Sequence, residues 1–188
     1  MPKYILFAGP NGCGKSTLYH TNSNYSKLPR INVDEIVRAN GLDWKNTQHL
    51  LKAGKIAVEK LNKYLDSKIS FNQETTLCGK GIIQNIKKAK QLGYSIEIYF
   101  VYVESVQLAK ERIKSRVANG GHGIPDKDVE RRYIESIQSL SKILNICDKI
   151  DLFDNSKQFE KIASIRSGSV IFESKSVPHW AKDFFNKI

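Results

Sequence analysis

A glycine-rich segment near the N-terminus constrains this chain more than any other feature. Residues 9–17 read G-P-N-G-C-G-K-S-T and directly follow the apolar run at residues 4–8. The segment fits G-x-x-x-x-G-K-[S/T], the Walker A pattern, in its expected context of a strand, a phosphate-binding loop and a helix. It therefore predicts nucleotide binding on an α/β fold.

Each residue type in this loop suits phosphate binding. Glycines let the backbone turn tightly and direct amide N–H groups at phosphate oxygens, and the following helix adds its positive end. Lys15 can reach the β- and γ-phosphates, and the Ser16 hydroxyl can ligate Mg²⁺. The predicted nucleotide-binding residues are Gly9, Pro10, Asn11, Gly12, Cys13, Gly14, Lys15, Ser16 and Thr17. Cys13 is either a thiol activated by the helix end or a small residue that the loop tolerates.

Length and composition indicate one globular domain that is not embedded in a membrane. The 188 residues suit a single domain, with a core over about 1–156 and an extension over 157–188. No apolar run of about 18 residues is present, and the first strand begins too early for a signal peptide, so we expect a cytoplasmic protein. The net charge of +11 fits nucleic acid or a small anionic substrate. The lysines are spread along helices without interleaved aromatic residues, which makes nucleic acid the weaker expectation.

Strands and helices alternate along the chain, which predicts a five-stranded, mainly parallel sheet with helices on both faces. The expected strands are 3–8, 28–33, 69–73, 95–103 and 149–154. The expected helices are 15–20, 34–39, 46–66, 79–92, 106–119 and 128–146. A small hairpin over 162–174 and a closing helix over 177–187 would complete the fold.

Two predicted strands end at side chains suited to chemistry, and ligands of such sheets bind at the carboxyl ends of strands. Asp34 can accept the proton of an attacking hydroxyl, or it can cap the helix that follows. Glu74 can orient a substrate hydroxyl or act through Mg²⁺, with Thr76 adding a hydrogen bond. Alternatively, Thr75 or Thr76 caps a helix that begins near Gly79.

Arginines flank a glycine-rich loop at residues 119–125, which reads N-G-G-H-G-I-P. Two precede the loop and two follow it: Arg112, Arg116, Arg131 and Arg132. Phosphoryl transfer needs cations on the transferring oxygens, and a closing lid supplies them while it excludes water. His122 within the loop can bind phosphate or base, or can be structural. The alternative for the whole segment is four solvated arginines beside a flexible loop.

Several segments together resemble the zeta-toxin-like kinases, in particular their compact bacterial branch. The phosphate loop is generic, but N-V-D-E-I at 32–36, F-N-Q-E-T-T-L at 71–77, R-V-A-N-G-G-H-G-I-P at 116–125, R-R-Y at 131–133 and D-N-S at 154–156 are specific. The resemblance covers about residues 3–156. It implies a P-loop kinase fold and transfer of phosphate from ATP, with Mg²⁺, to a hydroxyl of UDP-N-acetylglucosamine, normally restrained by an antitoxin.

The resemblance also implies roles for individual residues. Asp34 matches the aspartate of the family's I-D-x-D pattern and would be the base, while Lys15 and Ser16 would hold phosphates and Mg²⁺. Arg116, with Arg131 or Arg132, would supply the lid cations. Glu74 and Thr76 would lie at the sugar-binding end of a strand. Together with Arg112 and His122, which are predicted from their positions around the glycine-rich loop, they are the expected substrate-binding residues.

One departure from the family pattern bears on the acceptor. The sugar-phosphorylating toxins show E-G-T-L-R where this chain has E-T-T-L-C at 74–78, so Cys78 replaces an arginine that could hold the diphosphate.

The sequence as a whole leaves three hypotheses: a small-molecule kinase, a kinase acting on a nucleotide or nucleic-acid end, and an ATP-dependent switch without a second substrate.

Overall fold

The computed structural model describes residues 1–21 and 25–186. Its strands are β1 Lys3–Ala8, β2 Arg30–Ile31, β3 Phe71–Thr75, β4 Ser95–Tyr102, β5 Lys149–Asp154, β6 Glu160–Arg166 and β7 Ser169–Glu173. Its α-helices are α1 Lys15–Thr21, α2 Val33–Ala39, α3 Thr47–Asp66, α4 Lys80–Gln91, α5 Val106–Ala118, α6 Asp126–Ile143 and α7 His179–Phe185. A 3-10 turn over Leu144–Ile146 follows α6.

The described strands form one sheet in the order β2-β3-β1-β4-β5-β6-β7. The first five strands are parallel, and β6 and β7 pair antiparallel to their neighbours. The expected α/β architecture is therefore confirmed, but the expectation of five strands is wrong. The predicted C-terminal hairpin is not a separate feature, because β6 pairs directly with β5 and extends the sheet to seven strands.

Side chains of the central strands alternate between two hydrophobic layers. In β1, Tyr4, Leu6 and Ala8 enter the layer covered by α2, α3, α4 and α7. Ile5 and Phe7 enter the opposite layer, with α1 and α5. All eight residues of β4 are buried, as expected for a parallel strand covered on both faces. The helices thus sandwich the sheet.

Several boundaries differ from the sequence prediction. Strand β2 has only two residues, and β3 lies about two residues later than expected, so that Glu74 is within the strand. Helix α7 ends at Phe185, and Lys187 of the predicted helix lies outside the described residues. Among the described helices, none combines the length and the apolar character needed to cross a bilayer.

Candidate active site

The phosphate loop lies between β1 and α1 and is packed against the backbone of neighbouring elements. Gly9 has a φ of +136°, and a Cβ added there would lie 2.0 Å from the carbonyl oxygen of Val101. A Cβ on Gly12, whose φ is +78°, would lie 2.5 Å from the carbonyl oxygen of Ala109. These two positions require glycine both for their backbone conformation and for their close contacts with β4 and α5.

Within the loop, the side chains of Lys15 and Cys13 are both buried. The Lys15 ammonium is buried and donates a 2.7 Å hydrogen bond to the carbonyl oxygen of Pro10. The Cys13 side chain is also buried, and burial raises the pKa of its thiol. A raised pKa keeps the thiol protonated and unreactive, so Cys13 is better explained as a small residue that fits the loop.

Asn155 supports the loop from the end of β5. Its Nδ2 donates a 2.9 Å hydrogen bond to the carbonyl oxygen of Cys13. The next residue, Ser156, donates to Asp154 Oδ1 at 2.8 Å, and Trp180 Nε1 donates to the same oxygen at 2.9 Å. The D-N-S segment therefore couples the C-terminal helix to the phosphate loop. Sequence reasoning noted this segment but missed its role, although its place after β5 was a signal.

Ser16 faces a carboxylate from β3. Its hydroxyl donates to Glu74, at 2.9 Å from Oε1 and 3.1 Å from Oε2. Asn32 Nδ2 and Arg30 Nη2 donate to Oε2 at 3.0 Å and 2.6 Å. Mg²⁺ is usually bound by substrate phosphates with a few hydroxyl or carboxylate ligands, so Ser16 with Glu74 is a donor set that fits it.

Asp34 lies in the first turn of α2, and the cap of that helix is Asn32. The Asn32 side chain accepts hydrogen bonds from the backbone N–H groups of Asp34, at 2.9 Å, and Glu35, at 3.4 Å. The alternative in which Asp34 caps the helix is therefore wrong. Its carboxylate is 43% exposed and lines the same cleft as Lys15 and Ser16.

The predicted lid meets the loop before α3 through an aromatic contact. The ring of His122 stacks on Trp44, with centroids 5.1 Å apart and planes within 9°. His122 Nε2 lies 3.7 Å from Asp34 Oδ1. Burial lowers the pKa of His122, and Arg116 and Arg38 lower it further, against the opposing effect of Asp34. His122 is therefore a neutral ring beside the Asp34 carboxylate at neutral pH.

Three of the four predicted arginines line the cleft. Arg116 Nη2 donates to the His122 carbonyl oxygen at 2.9 Å, and Arg112 Nη2 donates to the Ser156 carbonyl oxygen at 3.3 Å. Arg132 Nη1 donates to Asn11 Oδ1 of the phosphate loop at 3.3 Å. Arg131 is not brought to the cleft: it is half exposed and forms ion pairs with Asp128 and Glu135. Of Arg131 and Arg132, the two residues predicted as a lid cation beside Arg116, only Arg132 lines the cleft.

The segment after β3 turns toward the cleft instead of capping a helix. Helix α4 is preceded by Gly79 without a side-chain hydrogen bond, so the capping alternative for Thr75 or Thr76 is wrong. Thr75 Oγ1 instead accepts from the N–H of Leu77, at 3.0 Å. Thr76 and the half-buried Cys78 line the cleft.

Together these side chains surround a cleft of about 1330 Å³. This exceeds the usual size of a pocket for one small ligand, so the cleft has room for a nucleotide and a second substrate. Among the described residues, no group of three or more His, Cys, Asp or Glu forms a metal cage. Trp44 and Arg116 line the cleft. Their atoms Trp44 Nε1 and Arg116 Nε are buried and have no hydrogen-bond partner within residues 1–21 and 25–186.

Comparison with known proteins shows the family of the chain. The sequence profile of the zeta toxin family matches residues 1–176. The chain belongs to the zeta toxin family. An uncharacterised protein of Haemophilus influenzae is 34% identical over 132 residues, which cover 70% of this chain and 92% of that protein.

Solved structures show the same fold at low sequence identity. A structure of the PezAT chromosomal toxin-antitoxin system of Streptococcus pneumoniae aligns with a TM-score of 0.60 and 16% identity, covering 100% of this chain and 78% of that one. The AvrRxo1-ORF1:-ORF2 complex with ATP aligns with a TM-score of 0.70 and 12% identity, covering 99% and 63%. This zeta toxin family member therefore has the P-loop kinase fold.

Proposed function

We propose that this zeta toxin family member transfers the γ-phosphoryl group of ATP to a hydroxyl of a small anionic metabolite. The observation that carries the proposal is the convergence on one cleft of phosphate-loop, carboxylate and arginine side chains from distant parts of the chain. They are Lys15, Ser16, Asp34, Glu74, Arg112, Arg116 and Arg132. ATP is the proposed donor because of the family and the phosphate loop.

In the proposed reaction, Asp34 accepts the proton of the acceptor hydroxyl. That oxygen forms a bond to the γ-phosphorus, the bond to the bridging oxygen breaks, and ADP leaves with the electron pair. Lys15 and Arg132, which contacts the loop at Asn11, would hold the phosphate oxygens. Mg²⁺, held by Ser16 with Glu74, would neutralise charge on the phosphates. Arg116, on the last turn of α5 beside the predicted lid, would add a further cation and favour the charge-rich transition state.

The proposed acceptor site lies between Trp44 and the segment after β3. Trp44, Lys45, Thr76 and Cys78 all line this part of the cleft. A UDP-amino sugar such as UDP-N-acetylglucosamine is the specific acceptor to test. Cys78 provides no cation for its diphosphate, since its Sγ only donates weakly to the carbonyl oxygens of Thr76 and Arg132.

Two alternatives share the same fold. The net charge of +11 favours a nucleic-acid or nucleotide end as acceptor, which predicts RNA binding that weakens steeply with salt. A nucleotide-dependent switch predicts that Lys15→Ala abolishes the biological effect while Asp34→Asn preserves it. The kinase proposal predicts that both substitutions abolish it.

The family also supports proposals about context. An antitoxin partner is proposed because the Streptococcus pneumoniae structure belongs to a toxin-antitoxin system. A kinase that draws on ATP would act in the cytoplasm. We further propose that residues 1–188 work as one domain, with the core over about 1–156 and the extension over 157–188. The contact from Trp180 to Asp154 and the burial of Phe184 in the main core favour this organisation.

The direct test is mass spectrometry of a bacterial metabolite extract incubated with the protein, Mg²⁺ and γ-labelled ATP, beside Lys15→Ala. The proposal predicts a labelled metabolite in the wild-type sample alone, and its mass would identify the acceptor. Phosphorylated UDP-N-acetylglucosamine would show that Cys78 is compatible with that sugar. Free phosphate without any labelled metabolite would contradict transfer to a small molecule.

A further inference from the structure

Arg30, on the short strand β2, has contacts beyond those of an ordinary edge-strand residue. Its guanidinium donates to Glu74 Oε2 at 2.6 Å, to Asn72 Oδ1 at 3.0 Å and to Glu35 Oε1 at 2.8 Å. The three bonds use three different nitrogens. Only 8% of its side chain is exposed, so the charge is withdrawn from solvent and held by these partners.

The guanidinium also stacks on an aromatic ring. Its central carbon lies 3.5 Å from the centroid of the Tyr19 ring, which is on α1 about one turn after Lys15 and Ser16. Arg30 therefore contacts α1 through Tyr19, α2 through Glu35 and β3 through Glu74. These three elements carry the phosphate-loop residues, Asp34 and Glu74 respectively.

We propose that Arg30 is a positioning residue that fixes the Glu74 carboxylate against Ser16 and thereby sets how Mg²⁺ and ATP are held together. The inference rests on the proposed function, in which Ser16 and Glu74 face Mg²⁺ and the phosphates. The supporting observation is that the Glu74 carboxylate accepts hydrogen bonds from Arg30, Asn32 and Ser16.

The chemistry of the site explains why an arginine is needed. A carboxylate beside the phosphate loop would repel the phosphates unless a cation offsets its charge, and Arg30 does so through its contact with Glu74 Oε2. The planar guanidinium is itself held in place by the Tyr19 ring and by its bonds to Glu35 and Asn72, so its one hydrogen bond to Glu74 has a fixed direction. A lysine would keep the charge but lose the planar group and the stack, so Arg30→Lys separates orientation from neutralisation.

The test is titration calorimetry of ATP with and without Mg²⁺ on the full chain. For Arg30→Lys we expect ATP affinity without metal within about twofold of wild type, because Lys15 and the loop amides are unchanged. With Mg²⁺ we expect affinity about 10-fold or more below wild type, the usual effect of losing a partner that orients a ligand. Arg131→Lys is the matched control, since Arg131 also has two carboxylate partners but lies outside the cleft lining. Both affinities should be unchanged in that control.

A second variant and a coupled variant guard against loss of folding. Tyr19→Leu removes the ring beneath the guanidinium and should show the same pattern with a smaller loss. Adding Arg30→Lys to Glu74→Gln should produce no further loss of Mg²⁺-dependent affinity if Arg30 acts through Glu74. The inference would be overturned if Arg30→Lys lost ATP affinity equally with and without Mg²⁺. It would also be overturned if Mg²⁺ increased the ATP affinity of Arg30→Lys as much as it does that of wild type. If the wild-type protein itself fails to bind ATP, the proposed function fails instead, and the two failures are thereby distinguished.

Discussion

The two halves of the cleft are built in different ways. The nucleotide half, which comprises the phosphate loop at residues 9–17 and Asn155, is fixed by backbone packed against backbone at Gly9 and Gly12. The half proposed to hold the acceptor, called the acceptor half here, comprises Trp44, the predicted lid at residues 119–125 and Cys78, and is joined by one ring stack and a few side-chain hydrogen bonds. The first arrangement has little freedom to rearrange, whereas the second can move at small cost.

This difference separates what should be shared by many P-loop proteins from what can specify an acceptor. Phosphate binding needs a fixed set of amide donors, and close backbone contacts provide it. In the proposed reaction a second substrate must enter before the predicted lid closes over it, and a single ring stack between Trp44 and His122 is a contact that such opening would break at small cost. Substitutions in the two halves should accordingly differ in kind.

The largest effect is expected for Gly9→Ala in the nucleotide half. The added Cβ would meet the Val101 carbonyl at 2.0 Å, so β4 or the loop must shift. We expect a loss of about 3 kcal/mol or more in the free energy of unfolding and loss of ATP binding. Gly120→Ala is the matched control in the acceptor half. Its φ is +83° but nothing lies within 4 Å of the added Cβ, so it should cost about 1–2 kcal/mol and retain ATP binding. Thermal unfolding measures the stability of both variants, and titration calorimetry measures their ATP binding. Equal losses in the two variants would contradict the proposed difference between the two halves.

The next effect concerns the arginine that bridges the halves. Arg132→Gln should lower phosphoryl transfer by about 10²–10³-fold, because Arg132 contacts the phosphate loop through Asn11 and would stabilise charge in the transition state. Arg131→Gln should leave the rate within about twofold, since Arg131 pairs with Asp128 and Glu135 instead. Steady-state rates with labelled ATP distinguish the two, and a larger loss for Arg131→Gln would contradict the assignment.

A moderate effect confined to the acceptor half is expected for Trp44→Ala. Stacked aromatic pairs contribute about 0.5–1.5 kcal/mol, so removing the ring should raise the KM for the acceptor by about 3–10-fold. The affinity for ATP should not change, because the Trp44 ring stacks on His122 and is not part of the phosphate loop. Kinetics with varied acceptor and calorimetry with ATP test this together. A parallel loss of ATP affinity would show that the halves are not independent.

The smallest effect is the pH dependence due to His122. Its pKa is lowered in the folded protein by burial and by Arg116 and Arg38, so the unfolded chain binds the proton more readily. His122 therefore favours folding fully above about pH 6.5, and its contribution is lost as pH falls below that value. His122→Phe keeps the stack on Trp44 but cannot titrate. Its stability should fall less than that of wild type between about pH 6.5 and 5, as denaturant unfolding would measure; parallel curves would contradict the assignment.

Sequence reasoning predicted the fold, which the structure confirms, and placed the phosphate loop between β1 and α1, because both are encoded in local patterns. The strand–loop–helix context of residues 3–17 and the buried run of β4 are short-range signals that need no knowledge of the rest of the chain. The pairing of the hairpin with β5 was missed, since a short hairpin gives no sign of its partner strand.

The acceptor half was less accessible because its contacts join residues far apart in sequence. Nothing local indicates that Trp44 stacks on His122, or that Arg30 binds Glu74. Adjacent residues of a helix point in different directions, so the orientation of α6 was needed to tell whether Arg131 or Arg132 faces the cleft. The alternative in which Asp34 caps α2 could not be rejected from the sequence, because Asp and Asn are equally suitable caps and Asn32 lies only two residues earlier.

The most direct test of the central claim compares wild type with Asp34→Asn in two measurements on the same preparations. Asp126→Asn is the matched control, because Asp126 is an exposed carboxylate at the start of α6 that pairs with Lys110 outside the cleft lining. If Asp34 is the base of a kinase, Asp34→Asn should bind ATP within about twofold of wild type. Its transfer of the γ-label to a metabolite should fall by about 10²–10⁴-fold, and Asp126→Asn should match wild type in both. Label transfer by Asp34→Asn at the wild-type rate, with ATP binding intact, would contradict the account.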